Sequence, residues 1–310
     1  MSLDSAVAGS KSTASLARID WLALARRPRF RDAVALNATL ILAQKDRLSP
    51  TLKWLTHDIG RASTLGRVLQ LGGLKGTVSV GDVLGRARLR HMASRGRVLQ
   101  VLTRAQTAGL IAIEELAGPW SERQITIQPL MLDLWRERAA AEIESASLVI
   151  HAIGTALDRL PSDAFLLEFM GRLDRFDGMD LSLRGPPNPG FRFFMVREGG
   201  LSMLYDLMLH QPPPAAGEGL LTEAPFSRAR LAARFNLSRT HVRRLFADAA
   251  EAGHVSFPAR DRIAFARSMA DEAERHFALT FHVVGSVARS AMEATARSGA
   301  GAQELGSLRR

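Results

Sequence analysis

The chain has 310 residues, 41 Lys plus Arg against 31 Asp plus Glu, a net charge of +10 and no cysteine. That length suffices for about two domains, each able to bury a core of its own. The missing cysteines exclude disulfides and thiolate chemistry and point to a reducing, cytoplasmic setting. The charge points to a polyanionic partner such as nucleic acid, and apolar runs such as 33–43, interrupted by Asn37 and Thr39, are too short for a membrane span.

Residues 1–15 are small and polar and are expected to be disordered. The spacing of apolar residues then predicts helices near 29–46, 51–59 and 62–71. LGGLKGT at 71–77 lacks the spacing of a phosphate-binding loop and follows a helix, so it reads as a turn. From Val83 to Ile113 there are six arginines (Arg86, Arg88, Arg90, Arg95, Arg97, Arg104) and no acid. Alternation in LIAIEEL (110–116) and RQITIQ (123–128) predicts a β-hairpin, with Gly118, Pro119 and Trp120 at its tip. Helices near 131–160, 163–173 and 200–210 follow, punctuated by Pro129, Pro161, GPPNPG at 185–190 and QPPP at 211–214. A second acid-free window runs from Arg228 to Ala247 and holds Arg228, Arg230, Arg234, Arg239, Arg243 and Arg244. HVSF (254–257) and RIAFA (262–266) predict a second hairpin, and a helix over 267–297 leads to a Gly-rich, flexible tail at 299–310. Without the twelve arginines of the two windows, 29 basic residues face 31 acidic ones, so the positive excess lies wholly within them.

The two windows align. A shift of 144 residues lays SRGRVLQVLTRAQTAGLI (94–111) over SRTHVRRLFADAAEAGHV (238–255), matching Ser94 with Ser238, Arg95 with Arg239, Val98 with Val242 and Gly109 with Gly253. In both copies helices precede the basic segment, and a hairpin and a further helix follow it. The expectation is an internal duplication, with one half over 16–130 and the other over 131–298, a period too long for a solenoid.

In the second copy, LAARFNLSRTHVRRLF predicts a helix ending at Phe235, a turn at Asn236 and Leu237, and a second helix with Ser238 as its N-cap. At 100° per residue, Val242, Leu245, Phe246 and Ala249 share one face, while Thr240, His241, Arg243, Arg244 and Asp248 lie on the other. An apolar inner face and an outer face of Arg, Thr and His suit a helix lying in a DNA major groove, with its N-terminal amides toward phosphate.

LAARFNLSRTHVRRLFADAAEAGHV resembles the winged helix-turn-helix of bacterial transcription regulators, most of all the GntR-like pattern of an LA pair, a small turn, SRT, a V-R step and a glycine before the wing. The resemblance covers some 40 residues. It implies that Ser238, Arg239, Thr240, His241, Arg243 and Arg244 face the groove and that Arg260 and Arg262 sit on the wing. In the first copy the corresponding residues are Ser94, Arg95, Arg97, Gln100 and Arg104, with Arg123 on a longer wing. There Gly96 weakens the helix start by about 1 kcal/mol relative to alanine. The order of helices, winged unit and terminal helix is also similar to a MarR-family subunit, whose flanking helices form a dimer interface. The expected fold is therefore mainly α with two small β-hairpin wings: tandem winged helix-turn-helix domains joined by a helical core, a covalent pseudodimer that works as a monomer.

The expected partner is double-stranded DNA, bound at an imperfect palindrome. Arg244 in the second copy favours guanine where Gln100 in the first favours adenine, and Leu99 in the first stands where the second has Arg243. Two alternatives fit the same residues: a plasmid-type replication initiator, which also carries two winged domains, and a winged-helix protein-interaction scaffold. No catalytic constellation, metal site or cofactor motif is evident; His241 and His91 read as polar contacts, and Glu114–Glu115 and Asp174–Asp177 as exposed charge. Phe165, Phe169, Phe176, Phe191, Phe193 and Phe194 read as core before they read as the lining of a small-molecule effector pocket.

Overall fold

The computed structural model describes residues 21–89, 93–115, 118–177, 189–212 and 219–307. The expected loose N-terminus, Arg90, His91, residues 185–188 of GPPNPG, Pro213, Pro214 and residues 308–310 lie outside them. The architecture is mainly helical, with two small three-stranded antiparallel sheets.

The first half opens with α1 (Trp21–Ala25), α2 (Phe30–Arg47), α3 (Pro50–Thr56) and α4 (Ile59–Lys75). Ser49 starts α3 by accepting from Leu52 N–H (3.3 Å) with Pro50 in the first turn, and Asp58 starts α4 by accepting from Arg61 N–H (3.0 Å). Both caps satisfy amides that a helix start leaves unpaired. There follow β1 (Val78–Ser79), α5 (Val80–Leu89), α6 (Arg95–Thr107), β2 (Ile111–Ile113), a 3₁₀ turn (Trp120–Glu122), β3 (Gln124–Ile127) and α7 (Pro129–Ser147). A 3₁₀ segment (His151–Arg159) leads to α8 (Asp163–Asp177). The second half continues with α9 (Pro189–Met195), α10 (Gly200–His210), β4 (Glu223–Pro225), α11 (Arg228–Arg234), α12 (Arg239–Glu251), β5 (Val255–Ala259), β6 (Arg262–Phe265) and α13 (Arg267–Ser307).

Four expectations change. The helix predicted over 131–160 is two pieces, because Ile150 leaves helical geometry (φ −132°, ψ 77°) and the chain restarts as a 3₁₀ segment. Each hairpin gains a third, edge strand too short to alternate visibly, giving the orders β1-β3-β2 and β4-β6-β5. Pro225 is tolerated in β4 because an edge strand spares its missing N–H. LGGLKGT is the last turn of α4 rather than a loop, and only Gly76, at φ 76°, breaks it. The backbone of α13 stays helical to Ser307, through most of the stretch read as a tail.

Gly73 explains that helical glycine run. A Cβ there would fall on the backbone carbonyl of Leu167 in α8, and one on Gly171 would stand 3.0 Å from the Gly73 carbonyl carbon. The two glycines thus let α4 and α8 cross with their backbones nearly touching.

The helices pack in reciprocal pairs. α2 runs against α7 and α8 against α13; α2 also meets α10, α8 meets α4, and α7 meets α13. Exchanging α2 with α8, α4 with α10 and α7 with α13 maps this set onto itself. Two ion pairs follow the same exchange: Arg86 of α5 reaches Asp174 of α8 (2.6 Å), and Arg234 of α11 reaches Asp46 of α2 (3.1 Å). Arg86 and Arg234 stand equally far beyond Ser79 and Ser227, each of which accepts from the N–H three residues on. Asp174 is therefore a buried partner, not exposed charge.

One hydrophobic core spans both halves and includes Ile41, Leu65, Phe169, Phe194 and Phe281. Phe165, Phe169, Phe191 and Phe194 are buried in it and Phe193 packs at its edge, as the core reading of the phenylalanine cluster requires; the side chain of Phe176 lies outside the described part. No helix among the described residues is long and apolar enough to cross a membrane.

Candidate nucleic-acid interface

α6 and α12 are built alike. Ser94 accepts from Arg97 N–H (3.3 Å) and Ser238 from His241 N–H (3.0 Å), so each hydroxyl closes a helix start. Each helix buries one stripe: Val98, Val101, Leu102 and Ala105 in α6, and Val242, Leu245, Phe246 and Ala249 in α12. The stripe in α12 is the one its periodicity predicts. Each helix also ends alike. Gly109 and Gly253, both at φ 73°, turn the chain, Leu110 N–H returns to Ala105 O and His254 N–H to Ala249 O, and a hairpin follows. The helix begins at Arg95 despite Gly96, since the serine cap and the buried stripe outweigh a propensity loss of about 1 kcal/mol.

The arginines divide by what the fold brings to them. Arg239, Arg243 and Arg244 of α12 are exposed and have no acidic partner among the described residues, and Thr240 is exposed beside them. Arg95 and Gln100 are in the same condition on α6. Arg230 and Arg234 of α11 instead converge on Asp206 of α10, whose side chain is fully buried: Arg230 Nη2 lies 2.7 Å from Asp206 Oδ2, and Arg234 pairs with Oδ1.

Several of the expected groove residues are turned to other work. Arg97 pairs with Asp58 (2.7 Å), an acid only 5% exposed that also holds Arg61 (2.8 Å). Arg104 stacks on Trp54, its guanidinium carbon 3.8 Å from the ring centroid, and Arg61 approaches the same ring at 4.0 Å. His241 contacts the Glu198 carbonyl through Nε2 (2.9 Å), as a polar contact should. Leu99 packs inward against the core instead of outward. Arg97 and Arg104 remain exposed but carry partners that Arg243 lacks, whereas His241 and Leu99 are partly buried. For Arg97, Arg104 and His241 the partner, Asp58, Trp54 or Glu198, comes from a segment distant in sequence.

The two hairpins differ as well. Arg262 is held by Glu223 (2.5 Å) from the diagonal position on β4, whereas Arg260, exposed at the turn of the second hairpin, has no acidic partner among the described residues. Phe257 is 36% exposed on β5, with the Arg228 guanidinium 5.7 Å from its ring. On the first hairpin Arg123 lies beside Trp120 (5.8 Å), and its Nε is buried. Gly118 and Pro119 are exposed between β2 and β3, whereas Trp120, expected at the tip with them, opens the 3₁₀ turn and packs against the core.

Behind the basic helices, Glu198 and His57 meet between the halves (3.7 Å). Burial raises the Glu198 carboxyl, but the hydrogen bond and charge of Arg61 outweigh it and leave it below the usual glutamate range. Burial, with Lys45 and Arg61 nearby, holds His57 below the usual histidine range against the pull of Glu198. Lys45, hydrogen-bonded to Ser202 (2.6 Å), is lowered to about 7 by burial and by Arg138. Sequence reasoning missed this layer because no short-range pattern marks pairs such as Arg61 and Glu198. Among the described residues no group of three or more His, Asp or Glu is placed to hold a metal ion. Comparison with protein-family models, with curated proteins and with solved structures found no match.

Proposed function

We propose that the chain is a sequence-specific double-stranded DNA-binding regulator of transcription, built as two winged helix-turn-helix units and acting as a covalent pseudodimer. The observation that carries this reading is the twofold recurrence of one arrangement: a strand, a helix pair whose second helix is serine-capped with an open basic or polar face, a glycine turn and a hairpin that pairs with the first strand. The reciprocal helix packing and the exchanged ion pairs Arg86–Asp174 and Arg234–Asp46 support the pseudodimer.

Under this reading α12 and α6 enter successive major grooves, and the hairpins flank them as wings. Arg239, Arg243, Arg244 and Arg260 supply phosphate attraction and guanine contacts in one half-site, while Arg95 and Gln100 serve the other with less charge. The half-sites are therefore unequal in sequence and in strength. Selection of bound duplexes from a random pool, using the full chain, is expected to return two dissimilar half-sites about one helical turn apart, with the α12 half richer in guanine. Enrichment of nothing above background would overturn the DNA reading, and two identical half-sites would overturn the inequality. A cluster of directly repeated sites would favour a replication initiator.

A further inference from the structure

One chain of polar contacts runs from α6 to α12. It begins at Arg97, the third residue beyond the Ser94 cap, whose guanidinium binds Asp58 Oδ2 at 2.7 Å. Arg61 Nε binds the same oxygen at 2.8 Å, and Arg61 Nη1 crosses between the halves to Glu198 Oε1 at 3.1 Å. A backbone hydrogen bond lies alongside, from Gly199 N–H to His57 O (3.0 Å). The Glu198 carbonyl then meets His241 Nε2 at 2.9 Å, and His241 is the third residue beyond the Ser238 cap. The two ends are thus equivalent positions under the 144-residue shift, and the middle is where the segments leading into α4 and α10 meet. Asp58 caps α4 and Gly199 precedes α10, so both ends of the crossing sit on helix starts that the core holds in place.

We infer that Arg97, Asp58, Arg61, Glu198 and His241 form a strut that fixes the separation and mutual orientation of α6 and α12. Asp58 and Arg61 are almost fully buried, 5% and 9% exposed, and Arg61 stacks on Trp54, which also carries Arg104 of α6. A partly buried, multiply bonded ionic cluster of this kind holds geometry more firmly than an isolated surface pair, whose contribution is commonly near zero. If α6 and α12 are the groove helices, the strut sets the half-site spacing that the molecule accepts. That consequence rests on the proposed function; the strut itself does not.

The absence of cysteine allows a direct test. Spin labels on Gln100→Cys and Arg244→Cys, both on exposed faces, report the α6 to α12 distance in the full chain by pulsed electron resonance. The strut predicts one narrow distance. Glu198→Ala removes the crossing carboxylate at a half-exposed site, and Asp58→Asn keeps the helix cap while removing the charge that holds Arg97 and Arg61. Each is expected to widen the distribution about twofold or add a second distance, with the helical circular dichroism unchanged; such uncoupling reflects lost preorganisation. An unchanged distribution in both variants would overturn the strut. A second arm uses duplexes carrying the selected half-sites at the selected spacing and at one base pair more or fewer. The native chain is expected to discriminate by about tenfold and Glu198→Ala by less than about threefold. Should the label distance respond while the native chain binds no duplex, the strut stands and the DNA reading falls.

Discussion

The six arginines between Arg228 and Ala247 are one chemical species in the sequence and two kinds of residue in the fold. Arg230 and Arg234 neutralise Asp206, which has no access to water, whereas Arg228, Arg239, Arg243 and Arg244 meet solvent. Arg243→Ala with Arg244→Ala is therefore expected to lower duplex affinity by roughly tenfold or more, at about 1–3 kcal/mol for a lost base-reading pair, with an unfolding midpoint close to that of the native chain. Arg230→Ala with Arg234→Ala is expected to do the reverse. It strands a buried carboxylate, a change that costs about 3–5 kcal/mol, and thermal unfolding would show the loss. Equal effects of the two double variants on stability would contradict this division. Histidine titration gives a third expectation. Burial first, and Arg138 second, lower His276 from 6.5 to about 4, so between those values the unfolded chain takes up a proton that the folded chain refuses. Stability thus falls as pH drops from about 6.5 to about 4, and His57, His254 and His282, lowered mainly by burial, act in the same direction. His276→Phe is expected to shrink the loss of denaturant midpoint across that range; a loss as large as that of the native chain would show that His276 does not contribute.

Among the elements, α12 was the most legible in sequence, since an N-cap serine, a period of 3.6 and a terminal glycine all agree, and its buried stripe matches residue for residue. β1, β4, α1 and α9 were not legible: two to seven residues carry too little periodicity to stand out, and pairing or packing with distant segments creates them. α4 shows the opposite failure, where glycines that usually end a helix instead allow one to approach another. Gly73→Leu would force α4 from α8 and is expected to cost about 1–3 kcal/mol or more in thermal unfolding. Gly96→Ala in α6 meets no atom within 4 Å and is expected to stabilise by about 0.5–1 kcal/mol. A Gly73 variant as stable as the native chain would refute the close crossing.

At the scale of the molecule, both halves contribute to one core, and each lends a helix to the other: α2 to α10, and α8 to α4. This exchange supports the proposed pseudodimer, and the proposal leads to an expectation about stoichiometry. One chain should occupy one two-half site, with no concentration-dependent dimerisation step, so light scattering of the complex should give one chain per duplex across a wide range of protein concentration. Two chains per site, joined more readily as concentration rises, would refute it. Apolar period, caps and turns are local properties, and so the sequence by itself determined the helical class, the paired basic segments, the two hairpins and the inner and outer faces of α12. Ion pairing and close packing act through space without regard to chain distance. The tertiary structure alone therefore decided which arginines stay open, how the halves interlock through Gly73 and Gly171, and that Arg97 and His241 end a single chain of contacts through Asp58, Arg61 and Glu198.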